Sequence, residues 1–247
     1  DKARYEANRR RMHRLAHYSR ARLREVAKHL NLDYEQAQGF MVLLRGAREL
    51  ALARPGLALL AELGVPFHLI DADKARALEP GLNAEMELRA AVHLPGDEVG
   101  NCRQFAHLLR HEAQKLGVQF RFQRVVQAIV PGAQPQVRHV GEPDDAPVTS
   151  FAPEASDAGV LETEAFDAVV VCAANDSAPL LAPLGVKLPL QPVYGYSITA
   201  PIRIREGYPE IGPQAGLMDE RYKVAISRLG QRVRVAGSAE IGGRLDD

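Results

Sequence analysis

Leu217–Gly243, reading LMDERYKVAISRLGQRVRVAGSAEIGG, constrains the fold more than any other part of this chain. Apolar and polar residues alternate over Tyr222–Ile226 and again over Arg232–Ala236, and the short turn Leu229–Gly230–Gln231 joins the two runs. Period-two alternation interrupted by a glycine turn predicts a β-hairpin with one buried face. Leu190–Thr199 (LQPVYGYSIT) predicts a strand leading toward it. The chain stops four residues after Gly243, where such a sheet is expected to pass on to further structure. The expectation is therefore an internal segment of a larger enzyme.

The rest of the chain mixes helices and strands. Residues 4–30 predict one amphipathic helix, because Met12, Leu15, Leu23, Val26 and Leu30 recur at helical spacing; Asn31 suits a left-handed stop. Residues 1–30 hold ten Lys/Arg against three acids. An arm for nucleic acid or anionic lipid is one reading; a solvated face opposite the apolar stripe is the plainer and preferred one. Gly39–Arg45 reads as a buried strand. Residues 47–63 read as a helix despite Pro55–Gly56 in its middle, with a break into two at that dipeptide as the alternative. Pro66–Asp71 predicts a strand, Asp71 an N-cap for Ala72–Leu78, and Ala90–Leu94 another strand. Pro95–Asn101 reads as a turn-rich loop before a helix Arg103–Leu116, capped by Asn101 and stopped by Gly117. Val118–Phe122 then predicts a strand and Gln123–Val130 an extended continuation. Residues 131–165 read as a loop or loose β-meander, with disorder expected around Gly141–Ala158. Phe166–Ala173 (FDAVVVCA) is a continuous apolar run, which predicts a strand inside a sheet covered on both faces. Ser177 is expected to cap a short helix Ala178–Ala182.

Composition removes several classes of function. With 31 basic and 31 acidic residues, net charge gives no argument for nucleic acid. No apolar run reaches the ~18–20 residues of a membrane span. Two distant cysteines, Cys102 and Cys172, suit a reducing cytoplasm and no disulfide framework. GxGxxG, GxxxxGK[ST] and HExxH are absent. His107 and His111, four apart on one helix, lack a third ligand and read as surface histidines, so no metal is expected. Ser19, Ser177 and Ser197 lack a nucleophile-elbow context, and no catalytic side chain is assigned. Two features remain. The small residues of Cys172–Ala173–Ala174–Asn175, after an apolar strand, would admit a ligand close to the backbone or, equally, a tightly packed helix. Tyr194, Tyr196 and Tyr222 could wall a pocket and bond a carboxylate; taken alone they read as strand aromatics.

Taken together these segments resemble the FAD-dependent D-amino acid dehydrogenases (small-subunit type) of the D-amino acid oxidase and glycine oxidase superfamily. The resemblance runs from Tyr5…Asn8…Arg11–Met12…Arg14–Leu15–Ala16…Tyr18–Ser19–Arg20 through Gly64–Val65–Pro66–Phe67, Glu79–Pro80 and His93–Leu94–Pro95–Gly96–Asp97–Glu98. It continues over Cys102, Phe105, Leu116–Gly117–Val118 and Phe120–Arg121–Phe122 to Gly195–Thr199 and Met218–Asp219–Glu220…Tyr222–Ile226. LPGDE and MDExYKVAI are its more specific motifs, and 131–160 carries none of it.

The resemblance implies an α+β fold: α/β-type pieces of an FAD domain plus a substrate domain of mixed β-sheet with helices on one side. Residues 1–93 and 182–247 would form the substrate domain and 94–181 the middle of the FAD domain. It implies FAD as cofactor, near Val126, Ala173, Ala174 and Asn175, with Ala174 standing where the family usually has glycine. If that position needs a positive φ or close flavin approach, the methyl group is a steric cost. It implies Tyr194 and Tyr222 at the substrate, and a carboxylate-binding arginine: Arg45, Arg203 and Arg228 are the candidates near the relevant strands, Arg45 being taken as the site residue, with a partner from the C-terminal part of the family chain as the alternative. The implied chemistry is hydride transfer from the substrate Cα to flavin N5, then hydrolysis of the imino acid to a 2-oxo acid and ammonia. The implied partners are a D-amino acid such as D-alanine and a quinone or other respiratory acceptor. The expected location is cytoplasmic, any membrane attachment being peripheral on the inner face of the bacterial inner membrane. Competing readings are a relative acting on glycine, sarcosine or another amine, and a non-catalytic binding protein derived from the same fold.

Overall fold

The computed structural model describes residues 2–141, 160–203 and 212–241. Apart from Gly141, the segment for which disorder was expected lies outside the described residues. Helices α1 (Lys2–His29), α2 (Ala47–Glu62), α3 (Ala72–Leu78), α4 (Cys102–Lys115) and α5 (Ser177–Leu181) alternate irregularly with strands. The strands are β1 (Ala37–Leu44), β2 (His68–Ile70), β3 (Ala90–Val99), β4 (Arg124–Val130), β5 (Gln136–Gly141), β6 (Val160–Ala165), β7 (Val193–Pro201), β8 (Gly216–Asp219), β9 (Val224–Leu229) and β10 (Arg232–Ile241). Seven strands form one mixed sheet, ordered β2-β3-β1-β8-β9-β10-β7, and three form an antiparallel meander, β4-β5-β6. The fold is mixed α and β, as the sequence implied. The chain divides into two compact units, Asp1–Leu116 with Gly195–Ala239, and Gly117–Tyr194 with Glu240–Asp247.

The first unit is organised by β1. It pairs antiparallel with β3 and parallel with β8, whose register sets Leu43 opposite Asp219. Leu44 is fully buried among Val92, Leu94 and the apolar face of α2 (Leu50, Ala53, Leu57, Leu60). That packing explains why α2 runs as one helix through Pro55 and is not broken there: tertiary burial of its face outweighs the lost backbone bond. The local stop signals act as read. Asp71 and Asn101 accept the N3 amides of Lys74 and Gln104, and Asn31 and Gly117 adopt positive φ at helix ends. In the final hairpin, Leu229 pairs with Arg232 around Gly230, at φ +61°.

Three expectations are corrected. Pro95–Val99 is not a loop: β3 continues through it, and a register shift between Gln38 and Phe40 absorbs the Pro-Gly-Asp as a bulge. Gly39, at φ +99°, provides the opposing bend, and the Gln38 amide donates to the carbonyls of Pro95 and Asp97. Arg24 of α1 reaches Gly96 O and Glu98, and Arg20 reaches Asp97, so part of the basic helix clasps this motif. Second, the apolar stripe of α1 is buried only in its C-terminal half, where Val26, Ala27 and Leu30 meet Tyr34, Phe105 and Leu108. Met12 and Leu15 remain 63% and 58% exposed. Third, Val118–Phe122 and Phe166–Ala173 are not strands, and neither joins a sheet. A central strand holds its shape through pairing on both sides; here Phe122 is 60% and Val170 83% exposed. The following stretch also differs: Ser177 does not cap α5 but accepts the amide of Ala173 through Oγ at 3.1 Å. The loop-or-meander expectation for 131–165 resolves, in its described part, as the strands β5 and β6.

Candidate functional site

The carboxyl ends of the parallel pair β1 and β8 carry a compact group of charged and aromatic side chains. Arg45, one residue past β1, donates from Nε (2.8 Å) and Nη2 (2.6 Å) to a single oxygen, Oδ2 of Asp219. Asp219 is 6% exposed. Its other oxygen accepts the backbone amides of Arg221 (3.1 Å) and Tyr222 (3.4 Å), fixing the turn between β8 and β9. The guanidinium of Arg45 lies over the Tyr222 ring, 5.0 Å from Cζ to the centroid, within cation–π range. The structure thus brings together two of the three residues expected at the substrate. Tyr222 itself is 62% exposed, as a residue open to a ligand must be.

Around this group a second set of ion pairs holds the turn. Arg221 bonds Glu49 at 3.0 Å and Glu87 at 3.3 Å. The Arg221 guanidinium, helped by backbone amides of its own helix start, holds the Glu49 carboxyl down to about 2. A Cβ at Gly46 would meet Arg221 Nη2 and Glu49 Oε2 at 3.0 Å, so the chain passes here without a side chain. The other arginine candidates are placed differently. Arg228 donates to the carbonyls of Gly230 (3.0 Å) and Pro213 (3.3 Å), a role in loop closure. Arg203 is exposed just past β7.

The second unit contains all four residues expected at the cofactor. Val126 lies on β4, the outer strand of the meander, opposite His139 of β5. An outer strand leaves half its backbone N–H and C=O groups facing away from its neighbour, which is what backbone recognition of a planar base requires. With Gln119, Arg121, Arg124, His139, Glu164 and Phe166, Val126 lines an open pocket of about 310 Å³. Ala173, Ala174 and Asn175 form a tight turn, a 3-10 helix over Ala174–Asp176. Ala174 has φ +47°, the left-handed conformation that glycine adopts freely. The steric cost anticipated for a non-glycine residue at that position is therefore present. Ala174→Gly should relieve ~1–2 kcal/mol of that cost and return part of it as unfolded-state entropy. We expect a net stabilisation of about 0.5–1 kcal/mol in equilibrium urea denaturation; an unchanged or lower midpoint would contradict it. Tyr194, half-buried at the start of β7, belongs to this second unit.

The pocket walls contain a group that the sequence reading missed. His139 Nε2 lies 2.9 Å from Glu164, Arg121 bonds the same carboxylate, and Arg124 bonds Glu162 at 3.1 Å. The hydrogen bond from His139, with Arg121 nearby, lowers the Glu164 pKa from its ordinary value. Ligand atoms of His139, Glu162 and Glu164 lie within 4.8 Å of one another. The two guanidinium charges already balance the two carboxylates, so a cation would have to displace an arginine, and we read the group as an ion-pair network. Its signal in the sequence was the period-two spacing of Glu162 and Glu164, which becomes meaningful only once β5 pairs with β6. His107 and His111 are both exposed on α4. The sequence carries no sign of a role for Asp219, because its partner Arg45 lies 174 residues away.

Comparison with known proteins follows this geometry. The sequence profile of a family described as FAD dependent oxidoreductase (DAO) matches residues 2–247. A D-amino acid dehydrogenase of Bradyrhizobium diazoefficiens is 40% identical over 243 residues, covering 98% of this chain and 52% of the relative. Another, of Rhizorhabdus wittichii, is 38% identical over 245 residues, covering 98% and 54%. The chain spans about half the length of the curated relatives it matches. Among solved structures, glycine oxidase from Geobacillus kaustophilus aligns with a TM-score of 0.73 at 20% identity, over 93% of this chain and 56% of that one. L-proline dehydrogenase from P. horikoshii aligns at 0.66 and 17% identity, over 90% and 54%. At such identities the structural likeness shows the fold alone.

Proposed function

Because the chain belongs to the DAO family of FAD-dependent oxidoreductases, we propose that the native protein oxidises D-amino acids such as D-alanine to 2-oxo acids and ammonia. Electrons pass to a quinone or another respiratory acceptor. The observation that carries the substrate class is the Arg45–Tyr222 pair at the carboxyl ends of β1 and β8, a cation stacked on an open phenol ring. A guanidinium is the side chain best suited to a carboxylate, and strand carboxyl ends are where open α/β sheets bind ligands. Relatives named D-amino acid dehydrogenase, at 37–40% identity, support the same reading.

In this proposal residues 1–93 and 182–247 contribute the substrate side and 94–181 the flavin side. Val126 would meet the adenine through its backbone, and Ala173, Ala174 and Asn175 would border the cofactor. Their fit is partial: an outer strand and a small-residue turn are present, while the sequence holds no Gly-rich phosphate cradle. When bound, the flavin supplies the redox step by accepting hydride from the substrate Cα. The chain's own part is positioning: Arg45 holds the carboxylate, and Tyr222 walls the side chain. No described helix is long and apolar enough to cross a membrane. Access to a quinone is accordingly proposed as peripheral, from the cytoplasmic face of the inner membrane.

A second reading, oxidation of glycine or another amine, draws on the likeness to glycine oxidase. Anaerobic turnover of the native protein with a soluble quinone separates the two. D-alanine should turn over at least ~10-fold faster than glycine or L-alanine, a difference of about 1.4 kcal/mol. Equal or faster turnover of glycine would move the substrate to the second reading.

A further inference from the structure

Asp219 touches both the guanidinium of Arg45 and the turn carrying Tyr222. We propose that it is a positioning residue for the substrate carboxylate, an inference that rests on the substrate reading above. Its two oxygens are divided between two tasks. Oδ2 takes both Nε and Nη2 of Arg45, at 2.8 and 2.6 Å. Oδ1 takes the amides of Arg221 and Tyr222. The strand register fixes the base of this clamp, since Leu43 is paired with Asp219 and the Glu220 amide bonds Leu43 O at 3.1 Å. Because Nε–H and one N–H of Nη2 are held, the end-on edge of the guanidinium is left to a ligand: the second N–H of Nη2 and those of Nη1, which has no partner among the described residues. Tyr222 covers one face of the same plane. An arginine pinned along one edge and one face presents its open end-on edge in a single orientation, which lowers the cost of ordering it on binding.

A rival physical account predicts the opposite sign. If Asp219 were merely a counter-ion competing for Arg45, removing its charge would strengthen carboxylate binding. Asp219→Asn separates the accounts. Keeping Oδ1 on the two backbone amides forces the new NH2 toward the guanidinium, donor against donor, and pushes Arg45 out of place.

The test uses the native protein with its flavin. It measures binding of propionate, a carboxylate without the amine, by isothermal titration calorimetry, and KM for D-alanine. Arg45→Gln, Asp219→Asn and the double variant are compared. We expect each single variant to weaken propionate binding and raise KM about 10-fold or more, with flavin content unchanged. The double variant should be no worse than Arg45→Gln, because Asp219 acts through Arg45. Tighter binding by Asp219→Asn, binding within 2-fold of wild type, or losses that multiply in the double variant would each overturn the positioning role. If Arg45→Gln leaves binding unchanged, the substrate reading of this site fails and the inference falls with it. Far-UV circular dichroism melts identify a variant that has simply unfolded; in that case Asp219→Glu, which keeps the charge on a longer arm, takes its place. It should restore KM at most in part.

Discussion

Glu79→Ala is expected to destabilise the first unit by about 3 kcal/mol. Glu79, 3% exposed after α3, accepts the amides of Gln214 (2.8 Å, Oε2) and Ala215 (3.1 Å, Oε1). The carboxylate therefore ties residues 135 positions apart at the entrance to β8, the strand that carries Asp219. Truncation leaves the buried Ala215 amide and the part-buried Gln214 amide without their partner, at ~1–3 kcal/mol each with Gln214 at the low end, against some relief from no longer burying a charge. In a unit of this size the loss corresponds to roughly 6–12 °C in Tm. Burial raises the Glu79 pKa above its ordinary value, while the amides of Gln214 and Ala215 and the charge of Arg228 pull it down. A carboxyl whose folded pKa is raised stabilises the fold most below its unfolded pKa and loses that contribution as pH rises through the folded value. The gap between wild type and variant should therefore be widest near pH 4 and narrower at pH 7. Thermal melts at the two pH values test both parts; a Tm within ~2 °C of wild type at pH 4 would show that the clamp carries no stability.

The second large effect concerns the cofactor. Expressed as the 247-residue chain alone, the protein is expected to purify without flavin. Two reasons combine. The chain has no Gly-rich loop to donate backbone amides to a pyrophosphate. The apolar runs 118–122 and 166–173, which read as sheet strands, are largely exposed and are strands of neither sheet, so the surface bordering Ala173 and Ala174 is not braced by them. We expect a Kd for FAD above ~100 μM for this chain, or less than about 5.5 kcal/mol of binding free energy. Fluorescence titration measures it. Stoichiometric binding at low micromolar FAD would mean that these residues hold the cofactor without a phosphate cradle, and would refute the division of roles proposed here. Exposed Phe122 and Val170 also make this chain prone to self-association, visible as concentration-dependent light scattering.

What could be read from the sequence was what neighbouring residues decide. Asp71 and Asn101 cap helices because a side-chain oxygen three residues before an amide needs no tertiary partner. Asn31, Gly117 and Gly230 turn the chain because their preferred φ is intrinsic. What failed depends on partners far away. Pro95–Gly96–Asp97 carries turn residues, yet it lies in a strand because β1 supplies Gly39 and the Gln38 amide opposite it. Phe166–Ala173 has the composition of a central strand and, among the described residues, no strand paired with it. The same division holds at the site. Arg45 and Tyr222 were indicated by resemblance, and the cation–π contact brings them together. The role of Asp219 could not be seen, since it exists only through the parallel pairing of β1 with β8. The His139–Glu164–Arg121 group was invisible for the same reason, as its members meet across β5, β6 and the segment before β4. Ala174 is the exception: a single residue, compared with the usual glycine, indicated a left-handed backbone that the structure contains at φ +47°.

The most direct test of the central claim is the anaerobic absorbance spectrum of the native protein before and after D-alanine. The account predicts an oxidised-flavin band that bleaches on addition, since one observation then reports bound FAD and D-amino acid oxidation together. A flavin band that D-alanine leaves unchanged while glycine or another amine bleaches it would contradict the proposed substrate. A native protein with no flavin band would contradict the proposed chemistry altogether.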